Sequence, residues 1–215
     1  MDSKRRLLPK ARFEQIEFLD ERAVLTDMKA RRGKGNLQRL EAEAKKRGYE
    51  PLETEDEVFG LRQKFEVREP IRPGSGESGT PVVEMEFELV MQSLRKGDSR
   101  DHGAIAVATI RAGRNVETQE ILLEAPEGKF LEAREFVFEG DQLIETESWW
   151  TAIWRCLLSS CGPVIAGALI ACSGSFIAYV GCVLVAAGGC GVKCAACATC
   201  NCRWWCRWAA SCCHQ

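Results

Sequence analysis

Cysteine is missing from the first 155 positions of this 215-residue chain, and Asp and Glu are missing from everything after Glu147. The first absence leaves the amino-terminal part without a thiol for nucleophilic catalysis or metal ligation. The second leaves a carboxy-terminal part that is purely cationic, through Arg155, Lys193, Arg203 and Arg207. Four scattered cations are too few for a nucleic-acid footprint, which needs a basic patch or stripe. Charge of either sign is missing from the 37 residues between Cys156 and Val192. Long unbroken apolar helices are missing too. Gly162-Pro163, Ser173-Gly174-Ser175 and Gly188-Gly189 cut this stretch into runs of about ten to twelve residues, short of the ~20 that one bilayer-spanning helix needs. Residues 1–24 are studded with charge and hold no apolar run of the kind a signal peptide requires. Ser3-Lys4-Arg5-Arg6-Leu7-Leu8-Pro9-Lys10 faintly echoes a twin-arginine signal, again without the apolar run that should follow.

What is present is as sharply divided. All 12 cysteines lie in the last sixty residues, as Cys156, Cys161, Cys172, Cys182, Cys190, Cys194, Cys197, Cys200, Cys202, Cys206, Cys212 and Cys213, and all six tryptophans lie from Trp149 onward. All 31 acidic residues and all but four of the 29 basic ones precede Trp149. The sequence therefore predicts two parts: residues 1–148, an acidic α+β domain, and residues 149–215, a small cysteine-rich helical module. A module of that size buries too little apolar surface to hold together unaided. Cysteine at this density implies disulfides and an oxidising compartment.

Along the chain, Phe13, Ile16, Phe18, Leu19 and Ala23 suggest a short amphipathic helix over 11–24. A second helix follows, with Asn36 as its cap, Leu37, Leu40 and Ala44 on one face, Lys45, Lys46 and Arg47 at its carboxy-terminal end, and Gly48 as its stop. The period then changes to two. Val58–Val67 reads as a strand, and so does Val83–Met91, with Val83, Met85, Phe87, Leu89 and Met91 on one face against Glu84, Glu86 and Glu88 on the other. Ala104–Arg111 and Val116–Glu124 form a hairpin about Ala112-Gly113-Arg114-Asn115, and Ala133–Glu139 and Gln142–Thr146 form one about Gly140-Asp141. Glu69–Pro81 reads as a mobile loop. The fold class is α+β: helices first, then an antiparallel sheet of about five strands. In the tail, Gly162–Cys172 and Phe176–Ala187, the latter capped by Ser175, read as two apolar helices, with a third over about Gly191–Cys212.

The candidate sites lie in the tail. On a helix at 100° per residue, Trp204, Trp205 and Trp208 share one face, Cys202, Cys206 and Cys213 a second, and Arg203 and Arg207 a third. Such a helix would show indole rings and two cations to a lipid interface, or form the core of a small module. Cys190-x3-Cys194-x2-Cys197 and Cys194-x2-Cys197-x2-Cys200 have iron–sulfur-like spacing, but the barrel or the proline-marked cysteine that accompanies such motifs is missing. The Cys-x2-Cys pairs overlap, which does not suit zinc, and His214 is the only histidine nearby. The expectation is disulfides throughout, with no cofactor. A transmembrane hairpin between Arg155 and Lys193 is the competing reading. The amino-terminal part offers no catalytic set: His102 reads as a turn residue, and Gly33-Lys34-Gly35-Asn36 is too short for a phosphate-binding loop. The Glu84, Glu86 and Glu88 row is a solvated face or a docking site for the cationic tail.

A cysteine-free acidic domain, then Glu145-Thr146-Glu147-Ser148-Trp149-Trp150, then apolar Gly/Ala-rich segments with Cys156-x4-Cys161, Cys172, Cys182, Cys190 and Cys194-x2-Cys197 resembles the precursors of cysteine-rich halocins and related bacteriocins. The resemblance implies a secreted, disulfide-bonded, membrane-active antimicrobial tail, released near Glu147 and Ser148. It also implies an amino-terminal immunity-type domain that protects the producer, with the precursor cytoplasmic or membrane-associated. The implied partners are target-cell lipids and, for the tail, its own amino-terminal domain; nucleic acid is not among them, and no enzyme activity is implied. Cys200, Cys202, Cys206, Cys212 and Cys213 depart from the halocin pattern. The alternative is a membrane-anchored or metal-binding protein whose soluble α+β domain binds a partner.

Overall fold

The computed structural model describes residues 11–13, 16–68, 82–97, 99–146, 149–161, 165, 167–168, 171–172 and 174–200. The loop reading for Glu69–Pro81, the processing positions Glu147 and Ser148, Cys202, Cys206, Cys212 and Cys213, and the interface set Arg203, Trp204, Trp205, Arg207 and Trp208 lie outside the described residues.

The frame is an antiparallel sheet. Its long strands are β4 (Val58–Arg68), β5 (Val82–Arg95), β6 (His102–Ala112) and β7 (Asn115–Ala125), followed by the shorter β8 (Arg134–Glu139) and β9 (Gln142–Thr146). They pair in chain order as a meander. Two-residue loops make its tight corners, flanked by the pairs Ala112↔Asn115 and Glu139↔Gln142. Each loop begins with a glycine, Gly113 or Gly140, at φ 58, while the next residue keeps a negative φ. That is the turn class whose first central position calls for glycine and whose twist matches the strands it joins.

Three short strands lengthen the sheet beyond the expected five or so: β1 (Ala11–Phe13) and β2 (Glu17–Phe18) on β4, and β3 (Glu50–Pro51) on β5. The first two correct the expected helix over 11–24. This segment instead satisfies the open hydrogen-bonding side of β4, which would otherwise be an unpaired edge. The helix α1 comes later, over Glu21–Arg32, because Asp20 caps it by accepting from the Ala23 N–H at 2.9 Å. Val24 and Met28, one turn apart, are its buried face. Helix α2 (Gly35–Lys46) buries Leu37, Leu40 and Ala44 as read, but Asn36 is not its cap. The helix starts one residue before Asn36, whose side chain accepts from Arg39 instead.

The sheet is apolar on both faces, and residue parity sorts them. Val90 and Leu94 of β5, Ile105 and Val107 of β6, and Leu122 of β7 pack with α1 and α2. Helix α1 comes close enough over β4 that only a glycine fits at position 60, where a Cβ would lie 2.6 Å from Val24 Cγ2. The residues of opposite parity are Met85, Phe87, Leu89 and Met91, Ala104, Ala106, Ala108 and Ile110, and Ile121, Leu123 and Ala125. They pack in one continuous core with the tail. That tail layer comprises α3 (Trp149–Ser160), α4 (Phe176–Ala187) and α5 (Gly189–Cys200). Ser175 caps α4 as read, accepting from the Ala178 N–H, and Gly188 at φ 55 ends it. Helix α3 was not foreseen, although Trp150, Ile153, Trp154 and Leu157 carry its stripe. The molecule is therefore α+β with helices on both faces of the sheet. The tail supplies one whole face of the core.

Candidate functional site

The site is built where the tail meets itself and the sheet. Helices α3 and α5 run antiparallel, joined by the disulfides Cys156–Cys194 and Cys161–Cys190. A third disulfide, Cys172–Cys182, ties the segment before α4 to α4. Their Cα–Cα separations of 5.5, 5.8 and 5.8 Å lie in the ordinary disulfide range. Cys197 and Cys200 are disulfide-bonded as well, and no cysteine among the described residues is free. Disulfide chemistry thus holds for all eight described positions. The two staples between α3 and α5 lie side by side, with Cys161 Sγ 4.0 Å from Cys194 Sγ. The Sγ atoms of Cys161, Cys190 and Cys194 all lie within 4.8 Å of one another.

The seat of this layer depends on polar residues that sequence reasoning missed. Glu135 of β8 is 1% exposed, and its carboxylate accepts the backbone N–H groups of Trp149 at 2.7 Å and Trp150 at 2.6 Å. These are the orphan donors of the α3 amino terminus, where a negative charge also meets the positive end of the helix dipole. At the carboxy-terminal end of α5 the Gln119 amide of β7 donates to the Thr199 carbonyl at 3.1 Å. The Trp149 indole donates to Thr199 Oγ1 at 3.0 Å, linking α3 to α5. The Trp150 indole donates to the Phe130 carbonyl at 2.8 Å. Nothing local in the sequence marks Glu135: it precedes Phe136 in a plain strand, fourteen residues from the helix it caps.

An aromatic cluster fills the centre. Trp150 meets Trp154 edge-on at 5.2 Å, and Phe130 stacks on Tyr179 at 4.7 Å and meets Phe176 edge-on at 5.3 Å. Burial raises the Tyr179 pKa above the ordinary phenol value. Trp149, Trp150 and Trp154 are thus core residues between helices and sheet.

The described part of the tail, up to residue 200, covers the face of β5 opposite its glutamate row. Glu88 is 7% exposed and pairs with Arg62 at 2.6 Å, and Glu86 pairs with Arg111 at 3.1 Å. The solvated-row reading also gives way at Glu88, because burial beneath α1 requires these arginine partners. His102 is not a turn residue: it opens β6, paired with Arg95 and Ala125, and its ring packs against Phe130 at 5.6 Å. Among the described residues no single helix is long and apolar enough to cross a membrane. The pair α4–α5, bent by 116°, has the length and composition for a broken span when its two helices are taken together.

No protein-family model, curated protein or solved structure matches the chain.

Proposed function

We propose that this chain is a bacteriocin-like precursor, in which residues 149–215 form a cysteine-rich peptide that acts on target-cell membranes and residues 1–148 hold it inactive. One observation carries the reading. Every cysteine belongs to the tail, so every staple joins tail to tail, while the seat on the sheet consists of apolar packing and hydrogen bonds. One cut near Glu147–Ser148 leaves a cross-linked unit with no covalent tie to its holder. Until then the sheet covers the apolar faces of α3, α4 and α5, as an inactive form requires.

Freed from the sheet, those faces need another apolar partner. A module with four cations and no carboxylate is drawn to an anionic lipid surface. Its disulfides suit an extracellular or other oxidising compartment, which fits a secreted tail; the precursor, before oxidation, is cytoplasmic or membrane-associated. The partners are target-cell lipids and the tail's own amino-terminal domain. The action is physical rather than enzymatic and takes no cofactor.

The test inserts a site-specific protease sequence between Glu147 and Ser148 of the oxidised chain and adds it to dye-loaded anionic vesicles. Uncut protein is expected to stay silent, and the cut protein to release dye at micromolar concentration, with release abolished by prior reduction. Silence after complete cutting removes the reading. Uncut chain that resists carbonate extraction would favour the membrane-anchored alternative.

A further inference from the structure

We infer that Cys156, Cys161, Cys190 and Cys194, when reduced, form a tetrathiolate site for a thiophilic divalent cation of the zinc class, at the junction of α3 and α5. The inference goes beyond the membrane reading and does not depend on it. It rests on the way the two staples are stacked. Three of the four sulfurs lie within 4.8 Å of one another, and one pair that is not bonded, Cys161 and Cys194, stands at 4.0 Å. Sulfurs about 2.3 Å from a tetrahedral zinc ion stand about 3.8 Å apart, close to the separation of Cys161 and Cys194; Cys190, bonded to Cys161 when oxidised, reaches the same centre once that bond opens. The fourth, Cys156, is bonded to Cys194 when oxidised and is therefore within reach of the same centre once that bond opens.

The positions of the ligands follow from the elements that carry them. Cys190 and Cys194 are one turn apart on α5, so they share a face. Cys156 and Cys161 lie on and just beyond the last turns of α3, which runs antiparallel to α5. The surroundings select for softness. Among the described residues the clustered ligand atoms are all sulfur, a set that favours zinc and similar ions over magnesium or calcium. A divalent ion with four thiolates carries a net charge of −2. Arg155 and Lys193 are the sequence neighbours of Cys156 and Cys194 and the cations closest in sequence to the nest.

The two states interconvert by balanced chemistry. A dithiol reductant opens the disulfides, two dithiols supplying four electrons and four protons and ending as two disulfides. The divalent cation then displaces the four thiol protons as four sulfur–metal bonds form. Two small-molecule disulfides, accepting four electrons from the thiolates and four protons from water and leaving as two dithiols, release the metal and restore the two staples. The same four residues thus hold α3 against α5 in a reducing compartment through a metal, and in an oxidising one through sulfur–sulfur bonds.

The experiment uses the full chain, reduced with a phosphine without oxygen and titrated with Co²⁺, then with Zn²⁺ as competitor. Absorption bands of tetrahedral thiolate-bound cobalt are read, together with metal per chain after desalting. Alkylation of the metal-loaded wild-type protein, mapped by mass spectrometry, is expected to spare Cys156, Cys161, Cys190 and Cys194 at least tenfold relative to Cys172 and Cys182. A chelator should abolish that protection. The double variant C161S/C190S should lose one metal equivalent, and C172S/C182S should lose none. Absence of the cobalt bands overturns the inference. So does equal labelling of all six thiols in the metal-loaded wild type, a reading that does not depend on any variant folding.

Discussion

At the scale of single residues, Glu135 bears most on how the tail is held. Its carboxylate satisfies two backbone donors at the start of α3 in a site closed to water. Leaving buried donors unpaired costs about 1–3 kcal/mol each. Glu135→Ala is therefore expected to lower stability by about 3 kcal/mol, with Glu135→Gln milder because its carbonyl still accepts. Urea unfolding of the oxidised protein measures both, and an unchanged midpoint in the alanine variant would show that the helix end is satisfied in some other way. Tyr49 sets a limit at high pH. Burial, then the charges of Glu124 and Asp101, push its pKa from 10.0 to about 12. The native state thus keeps a proton that the unfolded chain has lost between those values. This stabilisation is complete below pH 10 and is lost as the pH rises to 12. Wild type should lose stability relative to Tyr49→Phe across that window, on the order of 2 kcal/mol. Parallel pH profiles of the two proteins would remove Tyr49 as the cause.

Among the elements, α3 and α5 show how nested staples behave. Cys161–Cys190 lies inside the loop closed by Cys156–Cys194, with sequence separations of 29 and 38. With either one intact, removing the other frees only a short ring. Loop-closure entropy puts the cost of replacing Cys156 and Cys194 by serine at about 2–3 kcal/mol, and that of replacing all four at about 6 kcal/mol. Thermal unfolding without reductant measures the two losses. A first removal as costly as the fourfold replacement would show that the second staple does not close in its absence. Helix α3 also marks a limit of periodic reading. Its stripe of Trp150, Ile153, Trp154 and Leu157 is a legible helical signal, yet it sits beside Arg155 at the point where composition changes, and the change masks the period. The 11–18 segment failed for another reason: whether a few apolar residues coil or extend was settled by the open edge of β4, which no local pattern reveals.

For the whole molecule, the chemical boundary between residues 148 and 149 is not a boundary in packing. The sheet residues Phe87, Leu89 and Met91 share a core with Trp149, Trp150 and Trp154. All six tryptophans follow Ser148, so indole fluorescence reports the tail, whereas far-ultraviolet dichroism reports the sheet as well. In the uncut, oxidised chain the two signals should lose their native values at the same urea concentration, the behaviour of one cooperative unit. Transitions well separated would mean that the tail folds independently of its seat. The sequence by itself determined the strands from Val58 onward, the two hairpins and their glycine corners, the α2 face, the α4 limits at Ser175 and Gly188, and the use of cysteine for cross-links. Each of these depends on neighbours within a turn or a hairpin. Only the tertiary structure decided which helices cover which face of a sheet that is apolar on both sides. It alone decided that Glu135 caps α3 and which cysteines pair, because these depend on groups brought together from distant parts of the chain.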